Sequence, residues 1–353
     1  MAYTTIDDPS LHFNTVLYTG NGSTNAITGV GFQPNWTLLK DRNDTSGTRV
    51  YDSVRGAIKR IRTDLQDAEI DDSDGLTAFG SDGFTLGADG ATNANTTLYV
   101  SWNWKAGTSF SNDASATSIG TIDSTGSINT TAGFSIISYT GNGTLGATVA
   151  HGLGVAPSMV LVKRRDTTGN WWTYHSSLGG ANKYIVLNST SAAGTSTNIW
   201  NNTAPTSTVF SLGDNSNYPE VNGTSNTFIA YCFAEKKGYS KFGSYTGNGN
   251  ADGTFVYTGF RPAWVVVKKT NGTDHWFLID NKRLGYNEDN YGLYLNLTNV
   301  EYSGSIYDLD ILSNGFKARD TDGMFNGSGD SYIYMAFAES PFTNSSGVPT
   351  NAR

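Results

Sequence analysis

One five-residue sequence, Tyr-Thr-Gly-Asn-Gly, occurs three times in this chain and constrains its fold more than any other feature. The copies occupy residues 18–22, 139–143 and 245–249. After each copy come a turn with glycine and proline, an apolar run that ends in lysine, and a closing run rich in aromatic residues. The three lysines are Lys40, Lys163 and Lys268. The chain therefore consists of three tandem copies of one unit.

The length of the repeat indicates a whole domain rather than a solenoid unit, because solenoid repeats run about 20 to 50 residues. Each copy is close to the usual domain size of about 100 residues, so we expect each to bury its own core. Short runs of Val, Ile, Thr, Tyr and Phe are cut by Gly, Asn and Asp turns, which is typical of all-β proteins. We predict an all-β fold of three tandem antiparallel β-sandwich domains, jelly-roll-like, with short linkers.

The repeat also sets the expected boundaries. They are an N-terminal arm over 1–12, sandwich repeats over 13–106, 133–236 and 237–340, a Ser/Thr/Gly-rich linker over 107–132, and a C-terminal tail over 341–353. An arm of this kind is either frayed or docked on a neighbouring subunit. Ile122 and Ile128 leave open an edge strand within the linker. The join between the second and third copies is shorter, so we expect those two to pack more rigidly.

The segment 53–70 carries two conflicting patterns. Ile58, Ile61, Leu65 and Ala68 lie at spacings that give a helix one apolar side. The corresponding parts of the other copies are plain β runs, however. We therefore predict a strand over 59–63 and a short helical turn over 65–70.

Charge and cysteine content exclude several classes of protein. The net charge of −8 argues against wrapping nucleic acid, which needs clustered Lys and Arg. The basic run of Arg55, Lys59, Arg60 and Arg62 is followed by acidic residues, which favours a solvated mixed-charge face. Cys232 is the only cysteine, so an intramolecular disulfide is excluded. We expect no membrane association, because no apolar run approaches the ~18 residues of a span.

The candidate binding residues are Trp171, Trp172, His175, His275 and Trp276. They come from related places in the second and third copies and suggest an aromatic and imidazole platform for a sugar ring. The alternative, which we favour, is that the aromatic side chains fill the core. With His12 and His151, the histidines are too scattered for a zinc site, and no Gly-x-Ser-x-Gly elbow is present.

Acidic residues offer no clear catalytic or metal site. Asp280 with Glu288, or Asp308 with Asp310, are formal candidates for a glycosidase pair, but Asp is expected in turns anyway. The stretches 71–75 and 320–323 carry oxygen ligands of the kind calcium takes, and turns without metal are the better interpretation. We predict no catalytic residue, no cofactor and no metal, and we do not expect an enzyme.

Several motifs together resemble a known group of proteins. They are the Tyr-Thr-Gly-Asn-Gly sequence, the Gly-Phe-x-Pro-x-Trp turns at 31–36 and 259–264, the stretches 52–56 and 102–107, and the C-terminal residues 338–342 and 347–353. This combination resembles uncharacterised repeat proteins of marine bacteriophages. The second copy departs from the pattern, with Met159 where the others have Trp36 and Trp264. The resemblance implies a structural or adhesive virion protein and carries over no active site.

We therefore expect a virion protein, such as a tail fibre, spike or head decoration, that attaches to a host surface glycan. A low-charge β composition is common in extracellular adhesins, and release by lysis reconciles it with the absence of a signal peptide. The expected partners are other virion proteins and further copies of the chain, as a trimer by analogy with fibres. The alternatives are a purely architectural capsid-cement or tail-assembly subunit and a glycan-degrading enzyme.

Overall fold

The computed structural model describes residues 3–214, 219–283, 287, 291–302 and 308–350. The predicted all-β fold is confirmed: antiparallel strands in several sheets build a sandwich architecture. In the described residues, the α-helices are single turns of four residues.

The first copy has one large and one small sheet. Its elements are a 3₁₀ turn (Pro9–Leu11), β1 (Phe13–Thr19), β2 (Asn25–Ile27), β3 (Trp36–Asp41), β4 (Arg49–Asp52), β5 (Gly56–Arg62), β6 (Ile70–Asp71), β7 (Leu76–Gly80), β8 (Gly83–Leu86), α1 (Gly90–Asn93) and β9 (Leu98–Trp104). The large sheet has the order β1-β9-β3-β4-β5-β6 and the small one β2-β8-β7.

The second copy repeats this plan with two additional strands at its beginning. Its elements are β10 (Thr108–Asn112), α2 (Ala114–Thr117), β11 (Ser124–Asn129), β12 (Phe134–Thr140), β13 (Thr148–Ala150), β14 (Met159–Arg164), β15 (Trp171–His175), a 3₁₀ turn (Ser176–Leu178), β16 (Lys183–Val186), β17 (Gly194–Thr195), β18 (Val209–Ser211), α3 (Pro219–Asn222) and β19 (Thr227–Phe233). The large sheet has the order β10-β11-β12-β19-β14-β15-β16-β17, and β13 pairs with β18.

The third copy has the same central strands. Its elements are β20 (Ser240–Thr246), β21 (Phe255–Tyr257), β22 (Phe260–Lys269), β23 (Phe277–Asp280), β24 (Leu293–Tyr294), β25 (Leu309–Leu312), β26 (Gly315–Ala318) and β27 (Ser331–Pro341). The large sheet has the order β20-β27-β22-β23-β24 and the small one β21-β26-β25. In all three copies the closing aromatic-rich strand therefore lies between the motif strand and the lysine strand.

The repeated Tyr-Thr-Gly-Asn-Gly sequence forms a loop that a buried asparagine holds. In the first copy, Asn93 Oδ1 accepts the backbone N–H of Asn21 (3.0 Å), and its amide donates to Gly87 O (2.6 Å). A Cβ on Gly20 would lie 2.1 Å from Ala94 O, so only glycine fits there. The other copies repeat the first contact with Asn222 and Asn142 (3.0 Å) and with Asn326 and Asn248 (3.1 Å). The motif therefore recurs in all three copies because this loop needs the close backbone approach and the asparagine contact.

The expectation of three independent cores is wrong for the largest apolar cluster. Each copy does have an outer core between its small and large sheets. The other face of every large sheet, however, packs into one central core that contains residues of all three copies. The ring centroids of Trp36 and Tyr231 lie 4.8 Å apart, those of Trp104 and Trp264 5.3 Å, and those of Phe233 and Phe337 6.0 Å.

The reason lies in the strands themselves. Every residue of β3 is buried, and so are five of the six residues of β14. Leu38 faces the central core while its neighbour Leu39 faces the outer core of the same copy. A strand with two apolar faces needs a partner on each side, and the other copies supply the second one.

The three repeated lysines join the copies in a closed ring. Their side chains are buried, and each ammonium group donates to a backbone carbonyl of a neighbouring copy. The contacts are Lys40 Nζ to Leu297 O (2.9 Å), Lys163 Nζ to Gln66 O (2.8 Å) and Lys268 Nζ to Thr190 O (3.2 Å). Burial lowers the pKa of each lysine to about 8. The first copy donates to the third, the second to the first and the third to the second, so a single chain closes a ring of three copies.

The predicted linker and helical turn are corrected by the structure. Within 107–132, β10 and β11 form a hairpin that joins the sheet of the second copy, and β11 pairs with β12 along its whole length. The edge strand left open by the sequence is β10, whereas Ile128 lies in β11, an inner strand between β10 and β12. Ile122 forms an isolated bridge with Val149. The strand predicted over 59–63 is present as β5, but 65–69 contains no helix. The backbone N–H of Glu69 donates instead to Arg165 O in the second copy (2.8 Å).

The described part of the N-terminal arm is ordered against its own chain and packs on the third copy. Thr4 and Ile6 are buried, and Ile6 belongs to the central core. Tyr3 donates its hydroxyl hydrogen to Gly259 O (2.6 Å). The side chain of Asp7 accepts the backbone N–H of Ser345 (2.6 Å), so the arm also contacts the C-terminal segment.

Candidate functional site

The five residues predicted to form a sugar platform are not presented together at the surface. Trp171, Trp172, His175 and Trp276 are buried, and His275 is half-buried. Trp171 and Trp276 face the central core, whereas Trp172 belongs to the outer core of the second copy. The alternative favoured from the sequence, in which these aromatic side chains fill the core, describes their positions.

The buried indole and imidazole groups instead connect neighbouring copies. Trp171 Nε1 donates to Arg62 O in the first copy (2.7 Å), and Trp276 Nε1 donates to Val186 O in the second (3.1 Å). His175 accepts the backbone N–H of Ser177 at Nδ1, so its Nε2 carries the proton and donates to Tyr334 O in the third copy (3.2 Å). Burial lowers the pKa of His175 to about 4, which keeps the ring neutral.

The contact between the first and second copies is closed by a buried ionic bridge. Arg55 pairs with Asp52 and, across 3.2 Å, with Glu69 Oε2. The carboxylate of Glu69 is held from the second copy by both arms of Arg165 (3.0 and 2.9 Å). Asp52 also accepts the hydroxyl of Tyr231 (2.7 Å). Arg55 is therefore not part of a solvated face, which corrects the sequence interpretation for this residue.

The remaining members of that basic run do behave as expected from the sequence. Lys59 pairs with Asp71, Arg60 with Asp72 (2.9 Å) and Arg62 with Asp64 (2.5 Å). These pairs neutralise the positive charges locally, so the run does not form a basic patch.

The contact between the third and first copies has the same bridge. Arg283 pairs with Asp280 (2.7 Å) and with Glu301 Oε2 (3.2 Å). Glu301 is in turn held by both arms of Arg42 (2.9 Å each). Burial alone would raise the pKa of Asp280, but the Arg283 guanidinium and the indole N–H of Trp102 hold it below its usual range.

A cleft of about 600 Å³ occupies the contact between the second and third copies. The backbone contact seen at the other two places is present, since Ala193 N donates to Thr270 O (2.8 Å). Hydroxyl and amide groups line the cleft from both copies, among them Ser177, Ser244, Thr246 and Asn271. No carboxylate, imidazole or thiol stands among its described lining residues, so its chemistry suits hydrogen bonding rather than acid–base catalysis. This cleft is the candidate functional site.

A second, shallower cleft of about 480 Å³ lies within the second copy, beside the hairpin of β10 and β11. It is lined by Thr125, Thr140 and Asp123, among others. It is formed by one copy alone and carries a carboxylate, so it differs in chemistry from the cleft between copies.

The acidic candidates are engaged in pairs or turns. Asp280 belongs to the ionic bridge described above, and Glu288 lies outside the described residues. Asp310 pairs with Arg319 (2.5 Å). In the 320–323 turn, Asp322 accepts the backbone N–H of Met324 (2.7 Å). Over the described ranges, no cluster of three or more His, Cys, Asp or Glu side chains is placed to hold a metal ion.

Sequence reasoning missed the cleft because its two walls are far apart in the chain. A comparison of the three repeats nevertheless shows a sequence difference at this boundary. Asp52 and Asp280 are each followed three residues later by arginine, whereas His175 is followed by Leu178. The departure at these positions marks the one contact that lacks the ionic bridge.

Comparison with known proteins gives a family and no function. No curated protein and no solved structure matches the chain. In the described part of the chain, every helix falls short of the length and apolar character needed to cross a membrane. The model of a domain of unknown function, DUF7483, matches residues 8–341 and so spans all three copies. The chain therefore belongs to the DUF7483 family.

Proposed function

We propose that the protein is a component of a bacteriophage particle and attaches that particle to a glycan on the host surface. The observation that carries the proposal is the hydroxyl-lined cleft between the second and third copies, set in a body whose three copies share one core. A cleft that offers hydrogen-bonding groups and no catalytic acid pair fits recognition of a sugar without turnover. A tail fibre, spike or head decoration is the corresponding role.

Two further features support a place in a virion. The repeated motifs resemble those of marine-phage repeat proteins, as the sequence indicates. The closed ring of copies also gives a compact body held by buried ionic bridges and a shared aromatic core. Such a body suits a protein that works outside the cell, where chaperones do not restore unfolded molecules.

A purely architectural role is the second candidate, and the sheet edges favour it. β1 and β20 are the terminal strands of their described sheets, whereas β11 covers the corresponding edge of β12. An open edge presents backbone groups that pair with a strand of another chain. Capsid cement or a tail-assembly subunit would use these edges for contacts with other virion proteins or with further copies, including the trimer expected by analogy.

Electron microscopy of purified phage particles with gold-labelled antibodies tests the proposal. We expect label on the particle surface, at the tail or on the head. The recombinant protein should bind intact host cells, and enzymatic removal of the surface polysaccharide should abolish that binding. Label on the particle without cell binding would favour the architectural role. Release of sugar fragments from the polysaccharide would indicate an enzyme, and absence of the protein from particles would overturn a virion role.

A further inference from the structure

The cleft between the second and third copies lies where an ionic bridge joins the other pairs of copies. Three residues make that bridge, and backbone hydrogen bonds identify the matching positions. At each contact one backbone N–H donates to a carbonyl of the neighbouring copy. The pairs are Glu69 with Arg165, Ala193 with Thr270, and Glu301 with Arg42. The third position lies three residues after Asp52 in the first copy, His175 in the second and Asp280 in the third. It is occupied by Arg55, Leu178 and Arg283, respectively. At this contact an Arg-Glu-Arg set is thus replaced by Leu178, Ala193 and Thr270.

All three replacements line the cleft. The cleft therefore exists because shorter, uncharged side chains stand where two guanidinium groups and a carboxylate fill the space elsewhere. Its volume of about 600 Å³ lies within the usual range of small-molecule sites, about 300 to 1,000 Å³. The copies remain joined there, because Lys268, His175 and the backbone contact of Ala193 still cross the boundary.

The lining offers unused hydrogen-bonding groups. The hydroxyls of Ser177, Ser244 and Thr246 form no side-chain hydrogen bond with any described residue, and they approach the cleft from two different copies. Asn271 uses its side-chain oxygen to accept the N–H of Ser331 (3.1 Å), which leaves its NH₂ group facing no described acceptor. Hydroxyls that both donate and accept are suited to the hydroxyl groups of a sugar.

The charge of the lining decides between neutral and charged ligands. Lys183 is the one charged residue among the described lining residues, and its ammonium group donates to Thr195 Oγ1 (2.6 Å). The described lining residues include no guanidinium that could pair with a carboxylate or phosphate, and the chain as a whole carries a net charge of −8. An acidic sugar would therefore be bound less well than a neutral one.

We infer that the cleft between the second and third copies is the binding site for a neutral oligosaccharide. The inference rests on the proposed attachment function and deepens it, since it places the sugar at one boundary of the ring. The hydroxyls of Ser177 and Ser244 contact the sugar from opposite walls, and the side chains of Leu178 and Ala193 lie against its apolar C–H face.

Rebuilding the missing bridge tests the site. The double variant A193E/T270R introduces the carboxylate and guanidinium found at both other contacts, keeps the net charge unchanged and fills the cleft. Because the same pair already occurs twice on this backbone, we expect the variant to fold. A second variant, S177A/S244A/T246V, removes three hydroxyls without filling the space. The matched control, T125V/T140V, removes two hydroxyls from the other cleft, which is lined by those residues.

Binding is measured on an array of neutral and acidic bacterial oligosaccharides, followed by calorimetric titration with the best-bound sugar. We expect A193E/T270R to abolish binding, S177A/S244A/T246V to weaken it about tenfold or more, and the control to bind like the wild type. Unchanged affinity in both cleft variants would overturn the assignment of the site while the attachment function stands. If the wild type binds only acidic sugars, or no sugar at all, the inference is wrong, and in the latter case the attachment function fails with it.

Discussion

The boundary between the first and second copies has the same backbone contact as the boundary between the second and third. The side chains at the two boundaries differ. Both have the same backbone hydrogen bond, of 2.8 Å, and both have a buried lysine that donates across the contact. The first has the Arg55, Glu69 and Arg165 bridge, and the second has a cleft. The comparison shows that the ionic bridge is not needed to hold two copies together, because the shared core and backbone contacts suffice.

The difference also shows where the ion pairs lie relative to the joins between copies. The short join between the second and third copies suggested the more rigid contact, yet the buried ion pairs lie at the other two boundaries. The length of a connection limits how far apart two units can move and says nothing about which side chains meet. The three changed positions, Leu178, Ala193 and Thr270, all line the cleft, so they are best understood as a single alteration of that boundary.

The largest expected effect comes from removing the central arginine of a bridge. Arg55→Met leaves the buried Asp52 and the half-buried Glu69 with one partner fewer, and we expect a loss of about 3–5 kcal/mol in the free energy of unfolding. Leu178→Met at the matching position of the cleft should cost less than about 1.5 kcal/mol, since it exchanges apolar groups of similar volume. Guanidinium denaturation measures both. Equal costs would contradict the distinction between the two boundaries.

The boundaries should also respond differently to acid. Burial lowers the pKa of His175 from 6.5 to about 4, so between these values the unfolded chain binds a proton that the folded protein does not. Stability at this boundary is therefore present above about pH 6.5 and falls as the pH drops towards 4, by about 3 kcal/mol at most. The lowered pKa of Asp280 acts in a different range, because its contribution is lost only below its usual value of 3.8.

The variant His175→Gln separates this effect from that of His151, whose pKa burial also lowers to about 4. Glutamine can accept from Ser177 and donate to Tyr334 without titrating. Thermal unfolding between pH 4 and 7 should show a smaller acid loss in the variant than in the wild type. An identical pH profile would mean that His175 takes up its proton in the folded protein.

Replacing bridge residues of the first boundary with the corresponding residues of the cleft should have a smaller effect on the free energy of unfolding. The double variant E69A/R165T copies the residues of the cleft into the first boundary and removes both members of a charge pair together. We expect a loss of about 2 kcal/mol, less than for Arg55→Met, because Arg55 keeps its pairing with Asp52. Urea denaturation provides the measurement, and a loss larger than that of the single variant would refute the assignment.

The smallest expected difference concerns the lysines. Lys163 donates to two carbonyls at 2.8 and 2.7 Å, whereas the acceptors of Lys268 lie at 3.2 and 2.9 Å. Lys163→Met should therefore destabilise the protein by about 1–2 kcal/mol, and Lys268→Met by less. Both are compared with the wild type by calorimetry at the same pH. The reverse order would show that hydrogen-bond length does not set the contribution of these groups.

Much of the fold could be predicted from the sequence, because the repeat supplied three independent versions of each strand. The strand over 59–63 was identified only because the other copies lacked the helical pattern. The helical turn over 65–70 was predicted wrongly, since the backbone N–H of Glu69 donates to the carbonyl of Arg165, which lies 96 residues away. Local periodicity contains no information about such a contact.

The shared core and the site were harder to predict for a related reason. The uninterrupted apolar runs at 159–162 and 263–267 already indicate strands buried on both faces, but they do not say what covers the second face. The binding prediction selected aromatic residues such as Trp171 by their chemistry, and this residue lies in the core. The cleft is lined by residues of two copies, and the sequence difference that marks it gains its meaning only when the three copies are superimposed.

Differential scanning calorimetry of the whole chain tests the central claim, that three copies share one core, most directly. If the copies share that core, they unfold together, and we predict a single transition whose calorimetric and van't Hoff enthalpies agree. Two or three separate transitions, each with the enthalpy of about 100 residues, would show that the copies are independent domains and would contradict the account.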